Sequence, residues 1–369
     1  MATGIEASGL EDVVAATTRL SDVDGEAGRL VLAGHAVEDI AGRTSFEDTL
    51  YLLFRGELPS ETEAAAIREA LGDAREAAFE RLGDLGDALA LPDAMDALRA
   101  AASHLSARVG EEPLAEAARI AGALAVFAAA WARQGALPRP DPRRSHVADY
   151  LRMVAPREPS PAEVAALDTY LVTVIDHGMN ASTFAARVVA STASDTVSAV
   201  VAAIGALKGK LHGGAPGPVL DMLDAIGDAE AAAGWVTAAL ERRERIMGMG
   251  HRVYRVRDPR AFVLERAIAK LESAAGGAGA IGKRLGLARA VEREAENQLT
   301  DRHPERPLKA NVEFYTAVLL EAVGLPRALF APTFAVSRVA GWCAHVEEQR
   351  RHGRLIRPKS RYTNAPPAA

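Results

Sequence analysis

Two of the nine histidines stand in glycine turns, where an imidazole has room to reach a ligand. His212 lies in LHGGAPG, and His251 lies in MGMGHRVYRVRDPRA. Glycine neighbours let the backbone pass close to a bound molecule and leave the ring uncovered by adjacent Cβ groups. Both rings could therefore hold or move a proton at a reacting centre. The alternative is a histidine at a helix end, beside a C-cap glycine and favoured by the helix dipole. Two such histidines, one followed by a run of arginines, favour the chemical reading. Metal ligation fits less well: there is no H-x-x-x-H or H-x-H spacing and no carboxylate at ligand spacing from either turn. No metal site is expected.

Arginines supply the second clue. Arg260, Arg338 and Arg357 lie in three separate segments, two of them beside a proline. A guanidinium fork matches a carboxylate bidentately, so a small di- or tricarboxylate would call for several forks converging from different parts of the chain. Taken singly, each reads more simply as an ordinary surface arginine. The basic stretch 350–361 is either a solvated face or a phosphate-contacting patch.

The elements that would position these groups read as helices. At 369 residues the chain is long enough for two domains, or for one large domain with a lobe. Hydrophobic residues make up 49% of it but aromatics only 5%, and alanine and leucine dominate, a composition that favours helix over sheet. Ser60 to Glu63 and Ser160 to Glu163 fit capping boxes, the second with Pro161 at the first helical position. Val164, Leu167, Leu171 and Val174 then step by three and four, one helical stripe leading to His177. The nearest approach to strand alternation is 253–256. Three segments break the helical pattern: the proline-rich 135–144, the glycine turn 208–218, and the alanine- and glycine-rich 273–286, read as a flexible connection.

Several classes are excluded on the same grounds. The single cysteine, Cys343, allows neither an internal disulfide framework nor a cysteine-based zinc site. A net charge of −6 argues against bulk nucleic-acid binding. The most apolar stretch, around 120–131, is short for a bilayer span, and the N-terminus carries acidic residues where a signal peptide has basic ones. A cytoplasmic protein with no nucleic-acid or membrane partner is expected.

The longest motifs are DHGMNASTFAARVVAST, GALKGKLHGGAPGPVLDML, IMGMGHRVYRVRDPRA, NVEFYTAVLLEAVGLP and SRVAGWCAHVEEQ. With these motifs in this order, the chain resembles the citrate synthase family, including its 2-methylcitrate synthase relatives, over nearly its whole length. The resemblance implies an all-α fold in which a large helical domain (1–213 and 325–369) is interrupted by a small helical domain (214–324) that closes over the active site. It implies condensation of acetyl-CoA with oxaloacetate, followed by thioester hydrolysis to citrate and CoA. No permanently bound cofactor is implied; acetyl-CoA serves as co-substrate.

By the same resemblance, His212 hydrogen-bonds the thioester oxygen and His251 polarises the ketone of oxaloacetate. Glu313 takes the methyl proton. His177, Arg260 and Arg338 bind oxaloacetate, and Arg357 reaches into the neighbouring subunit's site of a homodimer. Gly248 and Gly250 pack on CoA, and Asn311 meets the pantetheine arm. The chain departs from the family at the base: P-N-V-D-F-Y-(S/T)-G is here Ala310 to Ala317, with glutamate for aspartate. The histidine often found three residues before His177 is Val174, an N-terminal Tyr-Arg pair is Leu32-Ala33, and the terminal RYTG ends in Asn364. Two alternatives stay open: a 2-methylcitrate synthase using propionyl-CoA, and a weakly active or non-catalytic homologue that binds oxaloacetate or acyl-CoA.

Overall fold

The computed structural model describes residues 9, 10, 13–135, 137–213, 216–250, 254, 256–277, 279–302, 304 and 308–360. Fifteen α-helices carry these residues. They are α1 (Val37–Ile40), α2 (Phe46–Arg55), α3 (Glu61–Glu80), α4 (Ala94–Ala102), α5 (Pro113–Arg133), α6 (His146–Val154), α7 (Pro161–Val174) and α8 (Ala181–Ser191). The chain continues with α9 (Thr196–Leu207), α10 (Pro216–Ile226), α11 (Ala232–Glu241), α12 (Pro259–Ala274), α13 (Ala280–Arg302), α14 (Val312–Ala322) and α15 (Phe330–His352). The fold is all-α, with one small sheet at its N-terminal end.

That sheet is a three-stranded antiparallel meander of β1 (Ser21–Asp24), β2 (Arg29–Leu32) and β3 (His35–Ala36). Ser21 pairs with Leu32 and Asp24 with Arg29, while Leu32 pairs again with His35. It lies where the sequence pattern indicated no strand. The 253–256 stretch, the nearest approach to alternation, forms no strand at Tyr254 or Val256; Val253 and Arg255 lie outside the described residues.

Helix starts follow the local signals. Both predicted capping boxes are made: Ser60 and Ser160 each accept from the N–H of Glu63 and Glu163, whose carboxylates return to the cap N–H. Helix α5 is the centre of the core, buried on nearly every face by α3, α4, α6 and α15. By length and composition it could cross a membrane, but 78% of its apolar window is already covered inside the protein.

Two segments read as connections are partly helical. Helix α10 starts at Pro216, inside the expected turn 208–218, and α13 starts at Ala280, so only the residues between α12 and α13 connect them. Burial of Leu285, Leu287, Ala288 and Val291 on α13 outweighs the poor helix propensity of its glycines. The proline-rich 137–144 stretch is irregular as expected.

Four helices meet at the place that matters here. Helix α7 packs against α12, α14 and α15, and α12 packs against α14. Gly341 sets the closeness of one contact: a Cβ there would lie 2.4 Å from the carbonyl oxygen of Ile175. Helix α15 can therefore press directly on the turn that bears Asp176 and His177.

Candidate active site

His177 leaves the C-terminal end of α7 on a turn that is fixed from below. Asp176, wholly buried, accepts from Ser21 Oγ and lies 3.2 Å from His345 Nε2. Ser21 Oγ also accepts the Gly178 N–H at 2.8 Å. Burial opposes charge on Asp176, but His345 and Arg338 hold its carboxyl below the usual range. With its backbone fixed, His177 places Nε2 3.1 Å from Tyr254 Oη, with the rings edge-on.

Arg338 comes from α15 and is 2% exposed. Its Nε donates to the carbonyl of Val174 at 2.6 Å, and its guanidinium lies over the Phe334 ring, 4.4 Å from the centroid. Burial, together with Arg260 nearby, pushes its pKa down to about 10. It is still charged at neutral pH. Among the described residues its Nη2 has no hydrogen-bond partner.

Arg260 comes from the opposite side, in the first turn of α12. Asp258 caps that helix, accepting the Arg260 N–H at 3.0 Å, and its carboxylate takes both Nε (3.0 Å) and Nη2 (2.7 Å) of the same arginine. The same carboxylate accepts the Val312 N–H at 3.1 Å, so it holds the starts of α12 and α14 together. Arg260 also stacks over Tyr254, 5.7 Å from the ring centroid. Two arginines predicted from separate segments are thus brought together, close enough that Arg260 opposes the charge of Arg338.

Glu313 is the second residue of α14, behind its cap Asn311, whose Oδ1 accepts the Glu313 N–H at 3.0 Å. Burial and, more weakly, Asp258 raise its pKa, against the pull of Arg260 and Arg245. Asn311 has a second task. Its N–H donates to Gly248 O at 2.9 Å and its Nδ2 to Gly250 O at 2.8 Å, while Gly250 N–H donates to Lys309 O at 2.7 Å. Met249 and Ala310 form an isolated antiparallel bridge. Gly248 (φ +75°) needs its left-handed backbone, and a Cβ there would meet the Phe314 side chain at 2.8 Å. The glycine loop is therefore stitched to the base of α14. His251, the residue after it, lies outside the described residues.

His212 sits in the turn after α9, where its N–H donates to Gly209 O at 2.9 Å. Its Nε2 is 2.9 Å from Ser182 Oγ, which also accepts from Trp342 Nε1 at 3.2 Å. Burial, with Arg338 adding to it, pushes its pKa down to about 4. The ring is neutral at physiological pH and carries one N–H. Arg357, in contrast, is exposed on the segment after α15 and is not buried with Arg260 and Arg338.

Sequence reading overlooked Asp258, Ser182 and Tyr254. Asp258-Pro259 carries an N-cap and N1-proline signal, and Asn180 to Thr183 carries an N-cap signal of its own, the Asn180 side chain accepting from Ser182 and Thr183 N–H. What those signals do not contain is the second partner across the fold. Among the described residues no three His, Cys, Asp or Glu side chains come together as metal ligands.

Comparison with known proteins gives a consistent result. Residues 9–359 match the family described as citrate synthase, C-terminal domain. The chain is 40% identical to a citrate synthase of Haloferax volcanii over 370 residues, covering 96% of this chain and 95% of that one. It superposes on the crystal structure of citrate synthase from Thermotoga maritima with a TM-score of 0.83 at 34% identity, covering 98% and 96% of the two chains. It is also similar to the Thermoplasma acidophilum citrate synthase solved as a ternary complex with carboxymethyl coenzyme A and oxaloacetate, with a TM-score of 0.86 at 29% identity over 100% and 98% of the chains.

Proposed function

This chain belongs to the citrate synthase family, acyltransferases that use acyl-CoA as a substrate and no resident cofactor, and we propose that it condenses acetyl-CoA with oxaloacetate. Addition of water to the resulting thioester then releases citrate and CoA. The observation that supports this reading best is the junction of α7, α12, α14 and α15: a carboxylate of raised pKa, Glu313, feels the charge of buried Arg260, which in turn lies near buried Arg338 from another helix.

The thioester methyl group is a very weak acid, so its proton leaves only if a base takes it while the enolate oxygen is stabilised. Glu313 is the base in this reading. His212, neutral through its low pKa, keeps an N–H to give the thioester oxygen without first having to lose a proton. The methylene carbon then attacks the ketone carbon of oxaloacetate, and His251 supplies a proton to the developing alkoxide. His177, Arg260 and Arg338 hold the oxoacid, while Gly248, Gly250 and Asn311 present backbone and amide to the CoA arm. Closure of the small domain, 214–324, over the site shields the enolate from water. The partner subunit of a homodimer completes the site with Arg357.

Glu313→Gln tests the assignment. The amide is nearly the same size but cannot take a proton, so condensation should fall by roughly 100- to 10,000-fold while oxaloacetate still raises the melting temperature. Thiol release assayed with acetyl-CoA and then propionyl-CoA, each with oxaloacetate, reads the acyl preference directly; the expected higher kcat/KM is with acetyl-CoA. Turnover of neither by the unaltered protein would sink the enzyme reading. Unchanged turnover in the variant would move the base elsewhere.

A further inference from the structure

Tyr170 lies on α7, one turn before Val174, whose carbonyl holds Arg338 Nε. It is wholly buried, and among the described residues its hydroxyl has no hydrogen-bond partner. The same holds for Arg338 Nη2. Buried polar atoms are nearly always paired, so two unpaired ones on neighbouring side chains need a reason. Arg338, Arg260 and Glu313 all act electrostatically on the Tyr170 hydroxyl, which places it inside the charged cluster and not in an apolar part of the core.

We propose that Tyr170 is a substrate ligand, its hydroxyl and Arg338 Nη2 gripping one carboxylate of the 2-oxodicarboxylic acid. The inference rests on reading this cluster as the oxoacid site. A guanidinium N–H and a phenol O–H are both donors, and a carboxylate is the acceptor that satisfies the two at once. Burial raises the phenol pKa, with Tyr150 and Glu313 adding to it and the two arginines opposing. The hydroxyl therefore keeps its proton and serves as a donor. It would leave Arg260 to the rest of the substrate.

Tyr150 supplies the control. It is equally buried, but its hydroxyl is satisfied by Thr333 Oγ1 at 2.8 Å. Oxaloacetate binding should be measured by calorimetry, and kcat and KM by thiol release, for the unaltered protein, Tyr170→Phe and Tyr150→Phe. Loss of a donor to a charged group should weaken oxaloacetate binding and raise its KM by roughly 10- to 100-fold in Tyr170→Phe, with the KM for acetyl-CoA unchanged. Tyr150→Phe should lower the melting temperature without that effect. Oxaloacetate binding in a folded Tyr170→Phe equal to that of the unaltered protein overturns the proposal alone, as does a loss confined to kcat, which would make Tyr170 a support for Glu313. Failure of the unaltered protein to bind oxaloacetate overturns this proposal and the functional reading together.

Discussion

Glu313 enters the cluster from the first turn of α14 with its own N–H already held by Asn311 Oδ1 at 3.0 Å. The backbone at that point cannot slide freely, because Asn311 is also tied to Gly248 and Gly250 and the Val312 N–H is tied to Asp258. The extra methylene relative to the family's aspartate is therefore a change in reach, with intrinsic acidity nearly the same. Glu313→Asp should draw the carboxylate back by more than 1 Å and lower kcat about 100-fold. The KM for oxaloacetate should stay within about twofold, since the arginines are untouched. Steady-state kinetics on the variant decide it: a kcat equal to that of the unaltered protein would mean that carboxylate length does not control the reaction.

At the scale of elements, Asp258 joins what local patterns keep separate. Its place before Pro259 announces a helix start, and α12 begins there. The Ser60 and Ser160 boxes were equally legible, because each signal lies within four residues. The bond from Val312 N–H to the Asp258 carboxylate joins residues 54 apart in sequence, and no short-range pattern contains it. The N-terminal meander was missed for a related reason. Its strands are two to four residues long, too short for alternation to stand out, and they are held by pairing with one another. Asp258→Asn keeps the size of the side chain but leaves Arg260 buried without its counter-charge. Stability should fall by about 3–5 kcal/mol, read from the denaturant midpoint, and oxaloacetate affinity should fall with it as the Arg260 fork loses its orientation. A variant with unaltered stability and affinity would show that the cap alone, and not the charge pair, matters.

For the whole molecule, the sequence made the arginine count legible but not the partition of the arginines. A chain of net charge −6 concentrates positive charge by burying Arg260 and Arg338 at one helix junction. Arg357 does not join them. It is exposed on the tail beyond α15, where the neighbouring Ile356 N–H is held by Ser191 Oγ at 3.0 Å. A tail anchored this way suits the proposal that Arg357 is offered to a second copy of the chain in a two-fold dimer. Complementation separates this from a purely structural tail. Arg357→Ala and His212→Ala should each be nearly inactive as pure dimers. In a hybrid dimer carrying one of each, one site receives both defects and the other receives an intact His212 with the intact Arg357 of its neighbour. Hybrids isolated through two different affinity tags should then recover about half of the unaltered activity. If Arg357 served its own subunit, every site of the hybrid would carry one defect and no activity would return.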